Sequence, residues 1–474
     1  MEYKLKQNMF YQICYQLLLL LTPLIVSPYI SRVLGVNNLG IYSYTNSMVS
    51  YFSLFAQLGI SNHGSRSISK VRHDKTERNK VFWNIYILQV TATLLSVMAF
   101  GIFCLCSHVE YKIILIVQAL VFIANLLDIS WYFYGMEYFK ITVACGCIVK
   151  IASVIAVLLL VKGEGSLLSY TAIMALTPVA SAVILWISVG KTIGIPHIDI
   201  GQIKKNIYPV FILFIPVMAS GVYHIIDKTM LGSMSTYQEL GYYYNADKVI
   251  NIPIGVFTGI STVMLPFLSR KTHNAEIVLE DSFKINFVIV IAMAFGIYAV
   301  SEEFVPVFFG KGYDKCIILV KLFIPVLFIK VLSMFTRMQI IVPRSKDKIY
   351  VYAVLCGAAV NIFANAFLIK IYGSVGAVIG TFIAEFVVCM IQCMKTGKEF
   401  DYKENILKNR AYIMIGFIMI LVIKGIKIIN CSLILKLVIE ILAGGGIYLF
   451  LCFLYNQILF LFSCIVSYTQ QIQL

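Results

Sequence analysis

Apolar runs of about 20 residues, separated by short polar stretches, recur from one end of the chain to the other. A run of that length crosses a ~30 Å hydrocarbon core as a helix. The pattern predicts fourteen spans: 10–31, 40–61, 81–106, 111–134, 140–161, 166–190, 207–231, 241–267, 283–308, 316–342, 348–370, 374–396, 411–429 and 433–460. A membrane β-barrel would instead show alternating segments of about ten residues, which are absent. The expected class is an all-α, polytopic membrane protein. Lys4 and Lys6 followed by an apolar run imitate a secretory signal. With no small-residue cleavage site and more spans behind it, the run reads as an uncleaved first helix.

Polar residues inside these spans fall in stripes. Gln12, Gln16, Pro23, Ser27 and Ser31 share one helical face of the first span, and Tyr42, Asn46, Ser53 and Gln57 do the same in the second. The seventh carries Ser220, His224, Asp227 and Lys228, and the eighth Asp247, Lys248, Asn251, Thr258 and Thr262. Helix packing in lipid also uses small hydroxyl and amide residues. Four stripes, two of them with embedded charges, favour a wet central cavity.

Ionisable residues within spans are costly and usually face a cavity or a partner. Beyond the stripes they are Asp128 on the fourth span, Lys150 on the fifth, Lys321, Lys330 and Arg337 on the tenth, and Glu385 on the twelfth. Asp227/Lys228 and Asp247/Lys248 are neighbours in sequence, so each acid is placed to pair with the other helix's base. Arg32, Lys228 and Arg337 lie near span ends, where snorkelling explains them equally well. Lys150, Lys248 and Lys321 lie deeper. Several cations around a low-dielectric cavity would attract a multiply charged anion such as a diphosphate.

Composition agrees with this reading. The 474 residues are 60% hydrophobic and only 13% charged, where a soluble protein carries about 25% charged residues. With the N-terminus inside, 24 of the 38 Lys and Arg fall in inner segments, nine in outer segments and five within spans. The net charge of +15 is therefore mostly an orientation signal, and a nucleic-acid partner is not expected. The inner set includes Arg270 and Lys271. The twelve cysteines sit mainly in spans and read as small packing residues. The six histidines lack ligand spacing, so neither metal nor cofactor is expected.

Two phrases recur in order. Pro23 and Ser27 match Pro216 and Ser220; Leu34-Gly35 and Leu39-Gly40 match Leu231-Gly232 and Leu240-Gly241. Deeper in each half, "CGCIVKI" from Cys145 matches "CGAAVNI" from Cys356, each followed by Gly-Ser at the next loop. Six spans separate the partners, which implies two parallel six-helix repeats. The expected organisation is an N-terminal half, 1–206, a C-terminal half, 207–400, and two additional helices in 401–474. The longest loops, 62–80 and 397–410, leave no room for a catalytic domain, and no phosphate-binding loop is present.

The opening "PYISRVLGVNNLGIYSY" and the next "FSLFAQLGISNHGSRSISKVR" resemble the start of bacterial polysaccharide-unit flippases. These belong to the multidrug/oligosaccharidyl-lipid/polysaccharide exporter superfamily. The resemblance continues through "WYFYGMEYF", "YYYNADKVINIPIGVFTGISTVMLPFLSR" and "VPVFFGKGY", covering roughly residues 8–400. It implies a flippase, not an enzyme. The cargo would be an oligosaccharide on undecaprenyl diphosphate, moved from the inner to the outer leaflet of the cytoplasmic membrane by alternating access. It also implies that a first-helix arginine and an eighth-helix base, here Arg32 and Lys248, help hold the diphosphate. A polysaccharide polymerase and a chain-length regulator would be partners. The "YYYNADKV" helix is similar to that of peptidoglycan-precursor flippases, which have Ala-Asp-Arg and then an acid. Here Ala246-Asp247-Lys248 keeps the charge sign, but Asn251 replaces the acid.

Two alternatives stay open. A cation antiporter of the same fold would want membrane carboxylates, whereas the deep bases here outnumber the acids. A membrane polymerase or glycosyltransferase would want a large outer loop. The outer acids, Glu164, Glu239, Glu302, Glu303 and Asp314, sit in short ones.

Overall fold

The computed structural model describes residues 2–107, 110–196, 198–268 and 275–472; Arg270 and Lys271 lie outside the described residues. Those residues form helices and no strand. In chain order the helices are α1 (Glu2–Gln57), α2 (Ile60–Val71), α3 (Lys75–Cys106), α4 (Lys112–Gln118), α5 (Val121–Leu127) and α6 (Ser130–Gly135). Then come α7 (Phe139–Leu160), α8 (Leu167–Val189), α9 (Ile200–Met234), α10 (Tyr237–Leu268), α11 (Ala275–Phe309) and α12 (Asp314–Phe335). The last are α13 (Asp347–Tyr372), α14 (Ser374–Thr396), α15 (Tyr402–Lys408), α16 (Arg410–Ile426) and α17 (Leu433–Ile472).

All fourteen expected spans have a helical counterpart. α1 carries the first two, α4 to α6 together carry the fourth, and α2 and α15 lie between spans. Among the described residues ten helices, from Lys75–Cys106 to Leu433–Gln457, are long and apolar enough to cross a bilayer, and α15 with α16 makes an eleventh, bent by 50°. The chain is thus a polytopic all-α membrane protein. The expected turn between the first two spans is a kink at Gly35, whose non-helical backbone (φ 75°, ψ 169°) divides α1 into two helices. That left-handed φ suits glycine, which has no Cβ to clash. α12 continues into a π-helical turn, Thr336–Ile341, which carries Arg337.

Two compact units are present. The first comprises Met1–Asn245 and Asp347–Val387, the second Ala246–Lys346 and Val388–Leu474. In the first, α9 packs against α1 and α13, while Phe82 stacks on Trp131 and meets Tyr132 edge-on in a buried core beside Ile60 and Ile68 of α2. In the second, α11 packs against α12, α16 and α17 around Ile291, Tyr412 and Met419. An ionic group fastens the same helices: Glu302 meets Lys321 at 2.6 Å and Lys427 at 2.8 Å, and Glu303 meets Lys427 at 3.0 Å.

The recurring Leu-Gly pairs meet each other in the first unit. A Cβ on Gly40 would lie 1.7 Å from the Tyr237 carbonyl oxygen, and one on Gly241 would lie 2.0 Å from the Val36 carbonyl oxygen. The two backbones touch where only glycine fits. Small residues allow this close approach in lipid, where apolar burial gives no driving force between helices. Gly241→Ala is expected to lower stability by about 1–3 kcal/mol through overpacking. Gly259→Ala, on the same helix with no atom within 4 Å of its Cβ, should be neutral or stabilising. Thermal unfolding of the two purified variants checks this; equal midpoints would refute the contact.

Candidate functional site: a polar cavity at a broken helix

The fourth span is not one helix. α5 ends at Asp128, whose backbone is extended (φ −69°, ψ 112°), and α6 restarts at Ser130. A break at bilayer depth frees carbonyls that lipid cannot satisfy, so protein groups must take them. Gln89 of α3 does most of this. Its Nε2 donates to the carbonyls of Asn125 at 2.6 Å and Asp128 at 2.8 Å. Trp186 Nε1 donates to the Leu127 carbonyl at 2.8 Å, and Ser130 N donates to Asp128 Oδ1 at 2.9 Å. Gln89 is itself held by Trp131 Nε1, which donates to its Oε1 at 3.0 Å.

The break opens a cavity of about 420 Å³ in the first unit, lined among others by Gln57, Asn125, Asp128, Tyr134, Lys150 and Ser181. A second cavity of about 300 Å³ shares Gln57, Asn125 and Asp128. Gln57 Nε2 donates to Asn125 Oδ1 at 3.2 Å, and Asn125 Nδ2 donates to Ser53 Oγ at 2.8 Å, so the second-span stripe is turned onto the break. Asp128 and Lys150 both line the larger cavity without pairing with each other. The carboxylate is held only by Ser130, and no acid acts on the lysine among the described residues.

Three residues expected from the sequence, Gln57, Asp128 and Lys150, therefore come together. Gln89, Asn125, Trp131 and Tyr134 were not anticipated. Only Trp131 and Tyr134 had left a trace, in "WYFYGMEYF". Asn46 is exposed and lines neither cavity.

A second polar cluster surrounds Asp227 of α9, also in the first unit. Its Oδ1 accepts from Asn361 Nδ2 at 2.8 Å and Asn365 Nδ2 at 2.7 Å, both of α13. Its Oδ2 accepts from Tyr243 OH and Thr381 Oγ1, each at 2.9 Å. Every donor is uncharged, although a base across the helices was expected. Hydrogen bonds to a carboxylate are about twice as strong as neutral ones, and four of them suffice to hold this one. The Asn365 Oδ1 beside it is buried without a hydrogen-bond partner. Glu385 is buried beside Tyr223, and His224 is exposed next to it.

The remaining expected residues divide between the units. In the first, Arg32 is exposed on α1, and Lys228 sits over the Tyr244 ring at 5.6 Å. In the second, Asp247 is buried, Lys248 half-buried and Asn251 exposed on α10, while Lys330 and Arg337 are half-buried. Lys321 is engaged by Glu302 and lies 5.5 Å from the Tyr298 ring. No three His, Cys, Asp or Glu side chains cluster as metal ligands among the described residues.

Gln89→Leu leaves the freed carbonyls and the Trp131 indole unpartnered. It should cost about 1–3 kcal/mol for each group left buried, read as a fall in the unfolding midpoint and in expression. Asp227→Asn places an amide against amide donors and should destabilise by about 1–3 kcal/mol. Asp128→Asn, at the edge of the cavity, should lower the midpoint less than either.

The sequence profile of the family described as "Polysaccharide biosynthesis protein" matches residues 5–272. A protein of Escherichia coli (strain K12) provisionally named an O-antigen transporter is 21% identical over 398 residues, 82% of this chain and 96% of that one. One of the same name from Shigella dysenteriae is 21% identical over 376 residues, 78% of this chain and 94% of that one. Among solved structures, the lipid II flippase MurJ in an inward closed conformation superposes with a TM-score of 0.76 at 16% identity, covering 96% of this chain and 99% of that one. An inward-facing multidrug resistance MATE family transporter of the MOP superfamily gives 0.62 at 13% identity, covering 84% and 95%. The fold is therefore that of the MurJ and MATE transporters.

Proposed function

The chain belongs to the polysaccharide biosynthesis protein family, and on that footing we propose that it is a flippase for an oligosaccharide carried on undecaprenyl diphosphate. It moves this cargo from the inner to the outer leaflet of the bacterial cytoplasmic membrane, with its N-terminus inside. The observation that carries the reading is the polar cavity at the broken fourth span. A chamber with an unpaired acid and an unpaired base among apolar helices has no use as packing, and suits a hydrophilic cargo crossing lipid. The names of the two bacterial relatives support a surface glycan as that cargo.

In this reading 1–206 and 207–400 are the two halves that rock, and 401–474 adds two helices. The diphosphate is held by Arg32, Lys228, Lys248, Lys330 and Arg337. Lys321, engaged by Glu302, is released to it only when that ion pair opens. Lys150, Gln57 and Asp128 line the cavity that receives the glycan, while Asn46, His224, Asp247 and Asn251 complete the polar path. Asp227 and Glu385 are coupling acids. The membrane potential or an ion gradient supplies the bias, each charge moved through 100 mV being worth about 2.3 kcal/mol. A polymerase and a chain-length regulator receive the product outside.

Depletion of the chain is expected to leave single lipid-linked units on the inner leaflet, hidden from a sugar label applied to intact spheroplasts. Units reaching the outer leaflet normally would reject the flippase. Lys248→Ala should lower flipping at least about tenfold, the equivalent of about 1.4 kcal/mol, with insertion into the membrane unchanged. Wild-type flipping in that variant would remove Lys248 from the site.

A further inference from the structure

The lining of the larger cavity carries one cation and one anion, and this decides what it can hold. Lys150 has no acid acting on it, and Asp128 has only the Ser130 cap. A diphosphate brings at least two negative charges. In this cavity it would meet a single ammonium and the carboxylate of Asp128, so the electrostatic balance is at best neutral. A sugar residue presents the complementary pattern: hydroxyl donors for carboxylate and amide acceptors, and a ring face for an aromatic side chain. Asp128, Gln57 and Tyr134 supply those three. The cavity, at about 420 Å³, lies within the usual range for small-molecule sites. What hydroxyls do not match is the ammonium. An ammonium held in a low-dielectric site without an anion is costly, and a single carboxylate on the bound sugar relieves that cost with a charge-assisted hydrogen bond.

We propose that this cavity binds one sugar residue of the cargo, and that Lys150 selects a residue bearing a carboxylate, of the uronic-acid class. The assignment rests on the flippase reading for the source of that sugar. Asp128 and Gln57 read hydroxyls, and the diphosphate sits elsewhere.

The test is a titration of the purified full-length protein in nanodiscs with methyl glucuronide, methyl glucoside and inorganic pyrophosphate. Wild type should bind the glucuronide about tenfold tighter than the glucoside, as one charge-assisted hydrogen bond would give. Lys150→Met should bring the two within about twofold while keeping the glucoside affinity, and Lys150→Arg should restore most of the preference. If Lys150→Met does not fold, Asp128→Asn serves instead: losing a hydroxyl acceptor should loosen the glucoside, while removing the neighbouring negative charge offsets that loss for the glucuronide, so the glucuronide-over-glucoside preference should rise severalfold. No preference in wild type, a preference untouched by Lys150→Met, a smaller preference in Asp128→Asn, or pyrophosphate competing for a Lys150-dependent site would each overturn the assignment. None of these titrations involves translocation. Their failure leaves the flippase to the spheroplast label, and a failed label with the glucuronide preference intact rejects the flippase alone.

Discussion

A backbone carbonyl left unpaired in hydrocarbon costs several kcal/mol, and the first unit is arranged around one place where that cost is met from outside the helix. The fourth span stops at Asp128 and restarts at Ser130, and the amide of Gln89 takes the carbonyls on both sides of the stop. Trp131 fixes the amide in turn, and Phe82 and Tyr132 pack around the indole. A buried aromatic core, an amide and a helix break thus form one assembly. With it, the acid, Gln57 and Lys150 line a common chamber.

The fold was largely legible because lipid imposes a simple rule on sequence. Each span must be about 20 residues of apolar chain, and all fourteen expected stretches are helical. The junction between the first two spans was legible in place, since the polar interval at Arg32 to Asn38 holds the Gly35 kink; hydropathy does not register that helix resumes directly after that one residue. The site was partly legible. Gln57, Asp128 and Lys150 stand out because charges and amides are rare in spans. Gln89 and Asn125 carry no charge and follow no stripe. Their importance comes from the carbonyls they meet, and a break at Asp128 leaves no mark in composition. The cationic residues were the least legible. Lys321 and Lys150 both fall inside predicted spans, yet Glu302 pairs with the first and, among the described residues, no acid acts on the second.

The Leu-Gly repetition has two physical uses that the pattern alone does not separate. Gly40 and Gly241 are helical and serve close approach, each backbone lying where the other's Cβ would be. Their recurrence follows from the contact itself, since a crossing this tight needs glycine on both partners. Gly35 serves conformation, through its positive φ. Its counterpart Gly232 is helical and lies against Tyr44, where a Cβ would come within 2.2 Å of the ring. Glycines at matching places in the two phrases therefore serve different physical ends.

Buried charge takes two opposite forms in the same unit, and the contrast bears on which can respond to cargo. Asp227 is saturated by four neutral donors from three other segments of chain. A change in its charge would disturb α9, α10, α13 and α14 together, because each helix contributes a group oriented by that carboxylate. Such a group suits coupling between helices and has no spare valence for a bulky ligand. Lys150 orients nothing among the described side chains, so a ligand can engage it without first breaking a native contact. Under the proposed function this gives a division of labour: the saturated acid would transmit a conformational change, and the open base would be where binding energy enters.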